Sequence, residues 1–196
     1  DEVAVTAAWG LSRLAVPDTL PAMLAFSERA AGISIDPNAP ATAMTPGHDR
    51  CLLHLFQAFG QMKYMPAESL LMPFVPRRYD VSPETRCAAI WALGHLHAGD
   101  PQPELARMLA ERVADDGEIP VPEPIEVRTH AAISLGQMNV ADGVEILRNV
   151  YHRKDPSSPL RGGCEWAIER ITGNELPDPE PRQLVPSAPF LQPLGP

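Results

Sequence analysis

Residues 84–96 read ETRCAAIWALGHL, and residues 126–138 read EVRTHAAISLGQM. Each segment carries small or apolar residues at i, i+3, i+4 and i+7, a spacing that puts four side chains on one face of an α-helix. The same spacing occurs in three more segments. The five quartets are Ala7, Gly10, Leu11 and Leu14; Leu55, Ala58, Phe59 and Met62; Ala89, Ala92, Leu93 and Leu96; Ala131, Ser134, Leu135 and Met138; and Cys164, Ala167, Ile168 and Ile171.

The quartets are spaced like the units of a helical repeat protein. Their first residues lie 48, 34, 42 and 33 positions apart, the separation expected of stacked helix pairs in an α-solenoid. We therefore number the repeats one to five by their quartets. The helix that carries a quartet is called the first helix of its repeat, and the helix after it is called the second helix.

Three positions outside the quartet also recur. The tryptophan slot lies two residues after the quartet begins, the arginine slot three residues before it, and the aspartate slot seven residues after its third member. The tryptophan slot is about 160° around the helix from the leucine. We expect the tryptophans to pack between helix layers rather than to form a surface row, because large exposed apolar patches are rare. The slots hold Trp9, Trp91 and Trp166; Arg86, Arg128 and Arg161; and Asp18, Asp100 and Asp142.

The first four repeats are expected to be helix pairs, and the fifth a single helix. Ser82 is typical of a helix start and Gly173 of a helix end. Pro73 should kink or shorten the second helix of repeat two. The proline-containing residues 33–47 and 115–124 are expected to be non-helical excursions. The predicted helices span residues 2–15, 17–31, 48–62, 66–75, 83–96, 103–114, 125–138, 141–152 and 160–172.

The chain divides into residues 1–173, which hold all five repeats, and a tail of residues 174–196. The tail reads NELPDPEPRQLVPSAPFLQPLGP, with seven prolines and no helical period, so we expect an extended polyproline-type segment. Four apolar side chains of the tail are expected to dock on the repeat array or on a partner. They are Leu184, Val185, Phe190 and Leu191.

The two opening segments resemble the first helices of HEAT repeats, specifically the short bacterial type also called lyase-like HEAT repeats. The pattern is an arginine, small alanines and a leucine–glycine pair. The match is good in repeats three and four and partial in the others; repeat two has Leu52 in the arginine slot, and repeat one has Ala4 there. The matching residues are Arg86, Ala88, Ala89, Leu93 and Gly94, and Arg128, Ala131, Ala132, Leu135 and Gly136.

The resemblance implies a fold more strongly than a function. It implies a right-handed α-solenoid of about five HEAT-like helical hairpins over residues 1–173, whose second helices line a concave, protein-binding surface. The arginine and aspartate slots resemble the charged ladder that links neighbouring HEAT repeats, with helix capping as the alternative for the aspartates. HEAT arrays serve as scaffolds, transport receptors, lyases and regulatory domains, so the fold leaves the activity open.

Composition argues against two classes of partner. The formal net charge is -9, from 25 acidic and 16 basic residues, and no basic stripe interrupts it, which disfavours nucleic acid. No window approaches the roughly 18 consecutive apolar residues of a membrane span, so we expect no membrane insertion. The sequence begins at Asp1 without a methionine and already inside repeat one, which we interpret as a fragment, a processed form or one domain of a longer protein.

The cysteines and histidines predict no catalytic or metal site. Cys51, Cys87 and Cys164 form no CxxC pair, so buried free thiols in a reducing compartment, with the cytoplasm favoured, are the expectation. His95, His97 and His130, which lies one repeat later, could together bind a zinc ion. However, no carboxylate has a spacing typical of a zinc site. The chain contains no His-Glu dipeptide, which argues against the metal-dependent HEAT hydroxylases. We predict no catalytic residue, cofactor or metal.

The predicted function is a protein-binding scaffold or regulatory HEAT-repeat module, part of a larger protein or complex. The alternative is a lyase-type HEAT enzyme, similar to bilin lyases, acting on a protein-bound chromophore; the resemblance alone suggests it, since no catalytic carboxylate can be placed by spacing. Four polar residues lie off the apolar stripes of the predicted second helices in repeats three and four, and we expect them to contact a protein partner. They are Arg107, Glu111, Arg148 and His152.

Overall fold

The computed structural model describes residues 2–32, 44–117, 121–153 and 158–177. All regular structure within these ranges is helical, which confirms the all-α fold class. Most of the first expected excursion, three residues of the second, and the tail from residue 178 with its four apolar side chains lie outside the described residues. The α-helices are α1 (Glu2–Leu14), α2 (Leu20–Ala30), α3 (Pro46–Gln61), α4 (Glu68–Leu71), α5 (Pro83–Leu96), α6 (Pro103–Ala114), α7 (Ile125–Gln137), α8 (Val144–Arg153) and α9 (Pro159–Thr172).

Local signals explain where several helices begin and end. The Ser82 side chain accepts a hydrogen bond from the Thr85 amide (3.2 Å) and caps α5, as expected. Gly173 ends α9 with a φ of 71°, a conformation that glycine adopts without steric cost. The helix α4 is only one turn long, and Pro73 lies in the 3₁₀ turn Met72–Phe74 that follows it. The predicted shortening of this second helix is therefore confirmed.

Three repeats turn from their first to their second helix in the same way. Ala15, Lys63 and Asn139 all lie eight residues after the start of their quartets, and all have positive φ angles of 49°, 49° and 60°. A residue in a more extended conformation and a short 3₁₀ turn follow in each case. The residue types differ, so the sequence did not reveal this shared turn, but the backbone repeats it.

The helices pack in a regular series. The first helices contact each other in chain order, α1 on α3, α3 on α5, α5 on α7 and α7 on α9. The second helices α2, α4, α6 and α8 each pack on the first helix of the following repeat. The third quartet position lies in this shared core: Leu11 is partly buried, and its four counterparts are completely buried. These counterparts are Phe59, Leu93, Leu135 and Ile168.

Small residues allow the first helices to approach closely. A methyl group added to Gly60 would lie 2.6 Å from a ring carbon of Trp91 and 2.7 Å from the Cα atom of Ala92. A methyl group on Gly136 would lie 2.8 Å from the Cα atom of Ala167. Both distances are too short for a carbon–carbon contact, so glycine is required where neighbouring first helices meet.

The arginine slot links repeats three, four and five to the repeat before each of them. Arg128 on α7 is buried and donates from Nε and Nη2 to the Val113 carbonyl near the end of α6, over 3.0 and 2.8 Å. Arg161 on α9 donates to the Tyr151 hydroxyl of α8 (3.0 Å), and its guanidinium lies over that ring. The predicted links between repeats are therefore confirmed for these arginines.

Arg86 forms the most buried of these links. It donates to the carbonyls of Phe74 (3.3 Å) and Val75 (3.1 Å) from repeat two, and it forms a bidentate ion pair with Glu123. Arg112 also donates to the Glu123 carboxylate (3.0 Å). Burial of Glu123 opposes its charged form, but the hydrogen bonds and charges of Arg86 and Arg112 outweigh burial and lower the Glu123 pKa. This ion pair ties the excursion between α6 and α7 to α5.

The tryptophan slot differs from the prediction. Trp9 and Trp166 are 53% and 41% exposed, so the expectation that the tryptophans are buried between helix layers is wrong for both. Trp91 is half-buried, with its ring against Gly60 and stacked on His95 at a centroid distance of 3.9 Å. The slot lies about 160° around the helix from the leucine slot, so Trp9 and Trp166 point away from the buried leucines.

Candidate partner-binding surface

The helices α6 and α8 are neighbours and bury their apolar stripes. α6 packs on both α7 and α8, and α8 packs on α9. The side chains that face these neighbours are spaced one helical turn apart, so the opposite face of each helix consists of polar residues that meet solvent. The buried residues are Leu105, Leu109 and Val113 on α6 and Leu147, Val150 and Tyr151 on α8.

All four residues predicted to contact a partner lie on the exposed faces of these helices. Arg107 and Glu111 of α6 form an ion pair across one helical turn, and both side chains are at least half exposed. Exposed pairs of this kind contribute little to stability, because water solvates both charges. Arg148 and His152 of α8 are also exposed, and they are likewise one turn apart. Each pair therefore presents its polar groups outward.

Two adjoining grooves bring three of the four residues together. Arg107 lines a groove of about 480 Å³ between the start of α6 and the turn before α8. Arg148 and His152 line a shallower groove of about 760 Å³ along α8. Asp142 lines both grooves and joins them, whereas Glu111 is not among the lining residues of either. The predicted residues thus form one surface with Glu111 at its side.

The charge on this surface is mixed. Glu145 and Asn149 complete the wall of the groove along α8, next to Arg148. The sequence analysis did not predict Glu145 or Asn149 as part of this surface. It also did not predict that Asp142 joins the two grooves, although the recurring aspartate slot had singled out this residue. Carboxylates, a guanidinium, an amide and an imidazole can hydrogen-bond to polar protein side chains of either charge. The surface therefore suits the polar rim of a protein interface.

A further groove, of about 800 Å³, lies on the side of the first helices. Its walls include Gln57, Glu84, Glu126 and His130, and Cys87 lies at its base. Burial raises the pKa of the Cys87 thiol to about 12, so this thiol is protonated at neutral pH and is not an activated nucleophile. Burial likewise raises the pKa of the Cys164 thiol to about 12, as expected for a thiol in a core position.

The three histidines considered as metal ligands point to different partners. The Nδ1 atom of His95 donates to the Trp91 carbonyl (3.1 Å), and Nε2 of His97 hydrogen-bonds to the Glu68 carboxylate (3.0 Å). His130 bonds to the main chain of its own helix. In the part of the chain that the structure describes, no group of three or more histidine, cysteine or acidic side chains is arranged to hold a metal ion.

Within the described ranges, none of the helices combines the length and the apolar character that crossing a bilayer requires. No family model, curated protein or solved structure matches the chain. The HEAT resemblance and the binding role of the four polar residues therefore stay predictions.

Proposed function

We propose that residues 1–173 form a right-handed α-solenoid of about five HEAT-like helical hairpins. The serial packing of the first helices supports this architecture, since each repeat contacts the next one in chain order. The turn shared by repeats one, two and four and the arginine links between repeats support it further. In this proposal, the leucine–glycine pairs and the arginine slot are the features that the chain has in common with short bacterial HEAT repeats.

The proposed function is a protein-binding scaffold or regulatory module within a larger protein or complex. The observation that carries it is the surface on α6 and α8, where exposed polar side chains border two adjoining grooves while the apolar stripes face inward. Arg107, Arg148 and His152 contact the partner from the grooves, and Glu111 contacts it from the side.

The test compares the full chain with a variant that carries Arg107→Ala, Glu111→Ala, Arg148→Ala and His152→Ala. Each protein is used as bait, and stoichiometric partners are quantified by mass spectrometry. We expect recovery of the partner to fall at least about tenfold, with a change in stability within about 0.5 kcal/mol per exposed site. Gln57→Ala, on the side of the first helices, serves as the control. Full recovery with the fourfold variant would rule this surface out.

The alternative function is a lyase-type enzyme acting on a protein-bound chromophore. The groove of about 800 Å³ with Glu84, Glu126 and His130 in its walls supports this alternative, because a tetrapyrrole needs a large site with polar groups. Addition of a linear tetrapyrrole to the full chain would then shift the visible absorbance of the pigment, and His130→Ala would reduce the shift. An unchanged spectrum would contradict the lyase.

A further inference from the structure

The first helices carry a second recurring face, on the side away from the leucine slot. It includes the tryptophan slot, and the position four residues after that slot holds a polar side chain in every repeat. Positions four apart lie on the same face of a helix, so each polar group stands beside the slot before it. We call this recurring face the outer stripe. Its polar members at that position are Arg13, Gln61, His95, Gln137 and Arg170.

The outer stripe joins neighbouring repeats into one groove. The groove of about 800 Å³ described above is lined by residues of α1, α3, α5 and α7, so it runs across four first helices. Its walls hold the Arg13 guanidinium and the amides of Gln57 and Gln61, which can donate hydrogen bonds, beside the Trp91 ring. Aromatic grooves with such donors suit polyproline-type segments, whose carbonyls have no partners within the segment.

The tryptophans at the two ends of the outer stripe are exposed. Trp9 on α1 is 53% exposed, and Trp166 on α9 is 41% exposed. The Trp166 ring lies next to Gly136 of α7, and the Arg170 guanidinium lies over this ring at 5.4 Å from its centroid. Large apolar rings exposed in a repeated slot indicate a surface that another segment covers.

The described start of the tail lies at the edge of the outer stripe. After Gly173 ends α9, the chain returns to the side of this helix, where the Leu176 amide donates to the Glu169 carboxylate (2.9 Å). Leu176 is partly buried against the core. Glu169 follows Trp166 by three residues, which places it about 60° around the helix. Residues 178–196 therefore continue from a point beside the stripe.

We propose that residues 178–192 of the tail dock across the outer stripe from α9 to α1 as an extended polyproline-type segment. Packed helices lie about 8–10 Å apart, and three polyproline residues advance about 9 Å, so one turn of the segment meets one first helix. Residues 178–192 reach about 47 Å in this conformation, which exceeds the roughly 32–40 Å of the four steps from α9 to α1. Pro186 and Pro189 are one such turn apart and share a face.

The order of charges in the tail matches the order of charges along the stripe. Asp178 comes first and passes Arg170 on α9. Arg182 follows about one turn later, at α7, where Glu126 lines the groove. Residues 183–196 carry no ionisable side chain, so this part of the tail suits the amides and aromatic rings of α5, α3 and α1.

The docked tail is separate from the surface on α6 and α8, and it does not rest on the function proposed for that surface. It fills the groove that the lyase alternative assigns to a tetrapyrrole. The groove therefore holds either the tail or the pigment.

Fluorescence of a labelled tail measures docking in the full chain. A bimane group is attached to the thiol of a Gln192→Cys variant, and a tryptophan ring quenches bimane only at close range. The native cysteines do not compete for the label, because all three are buried and burial raises the pKa values of the Cys87 and Cys164 thiols to about 12. We expect quenched emission that Trp9→Phe largely restores, since one turn per helix brings position 192 to α1.

Matched variants locate the contact. Trp166→Phe should leave the emission quenched, because it changes a similarly exposed ring at the other end of the stripe and keeps an apolar ring there. Gln61→Glu should raise the emission at least about twofold, because a carboxylate cannot donate to the tail carbonyls. Asn149→Asp makes the same amide-to-carboxylate change on the exposed face of α8 and should have no effect. Circular dichroism confirms that each variant is folded.

Three results would overturn the proposal. The first is unquenched bimane in the isolated full chain, because the stripe would then be left to another segment or to a separate protein. The second is quenching that neither Trp9→Phe nor Gln61→Glu relieves, because the tail would then lie elsewhere. The third is quenching that weakens when the protein is diluted, because the tail of a second copy would then occupy the stripe.

Discussion

Repeats one and four share their residue pattern but differ in burial. Leu11 and Leu135 occupy the same slot, yet only Leu135 is completely buried. Leu14 is 71% exposed, whereas its counterpart Met138 is completely buried. The pattern therefore determines which face of a helix is apolar. Whether that face is buried depends on the helices packed against it, which for α7 include α5 and α6 of the preceding repeat.

The same substitution placed in both repeats tests this difference in burial most directly. Ala131→Glu should destabilise the protein by more than about 4 kcal/mol or prevent folding, because it puts a carboxylate among completely buried residues. Ala7→Glu should change stability by no more than about 0.5 kcal/mol, because Ala7 is exposed. Urea denaturation monitored by circular dichroism measures both values.

Substitution of the same two alanines by leucine is a milder test, which can be measured even if the Ala131→Glu variant does not fold. Ala131→Leu should cost about 1–3 kcal/mol through overpacking, and Ala7→Leu should cost almost nothing. Equal losses at the two positions would mean that α1 is covered as completely as α7.

The second prediction concerns the arginine slot, which repeat one lacks. Glu123→Ala should destabilise the protein by about 3–5 kcal/mol, because it leaves the buried Arg86 without its ion-pair partner. Glu111→Ala removes the exposed ion pair with Arg107 and should cost less than about 0.5 kcal/mol. Denaturant midpoints of the two variants test the contrast. A small loss for Glu123→Ala would show that the link between repeats two and three does not depend on this ion pair.

The third and smallest prediction is the pH dependence of the same link. The pKa of Glu123 is lower in the folded protein than its ordinary value of 4.5, so the folded state binds this proton less tightly than the unfolded state. The stabilisation by the charged form is complete above about pH 4.5 and is lost as the pH falls through the lowered pKa. The stability advantage of wild type over Glu123→Gln should therefore shrink in thermal melts between pH 5 and pH 3. A stability difference that stays constant between pH 5 and pH 3 would contradict the lowered pKa of Glu123.

Local sequence patterns predicted much of the helical structure. Proline and capping signals placed α5 and α6 at residues 83–96 and 103–114, as the structure has them. Pro73 correctly marked the short helix in repeat two. The wrong expectation for Trp9 and Trp166 arose because a repeated large apolar residue usually indicates core, whereas here its slot points away from the buried leucine slot.

The candidate surface was predictable in part. Arg107, Glu111, Arg148 and His152 lie off the apolar stripes, and helical periodicity alone was enough to place them on exposed faces. The grooves beside them depend on how α6 meets the turn before α8, a contact between residues far apart in the chain. No local pattern contains that information.

The sequence alone determined the positions of the helices and the apolar face of each one, because both follow from short-range periodicity and capping. Tertiary structure decided which of these faces are covered and brought Glu123, from a proline-rich segment that looks exposed, to the buried Arg86. Burial depends on neighbours in space, and equal residues in equal slots have different neighbours. Val3 is consequently exposed and Val127 is buried, although both precede their quartets by four residues.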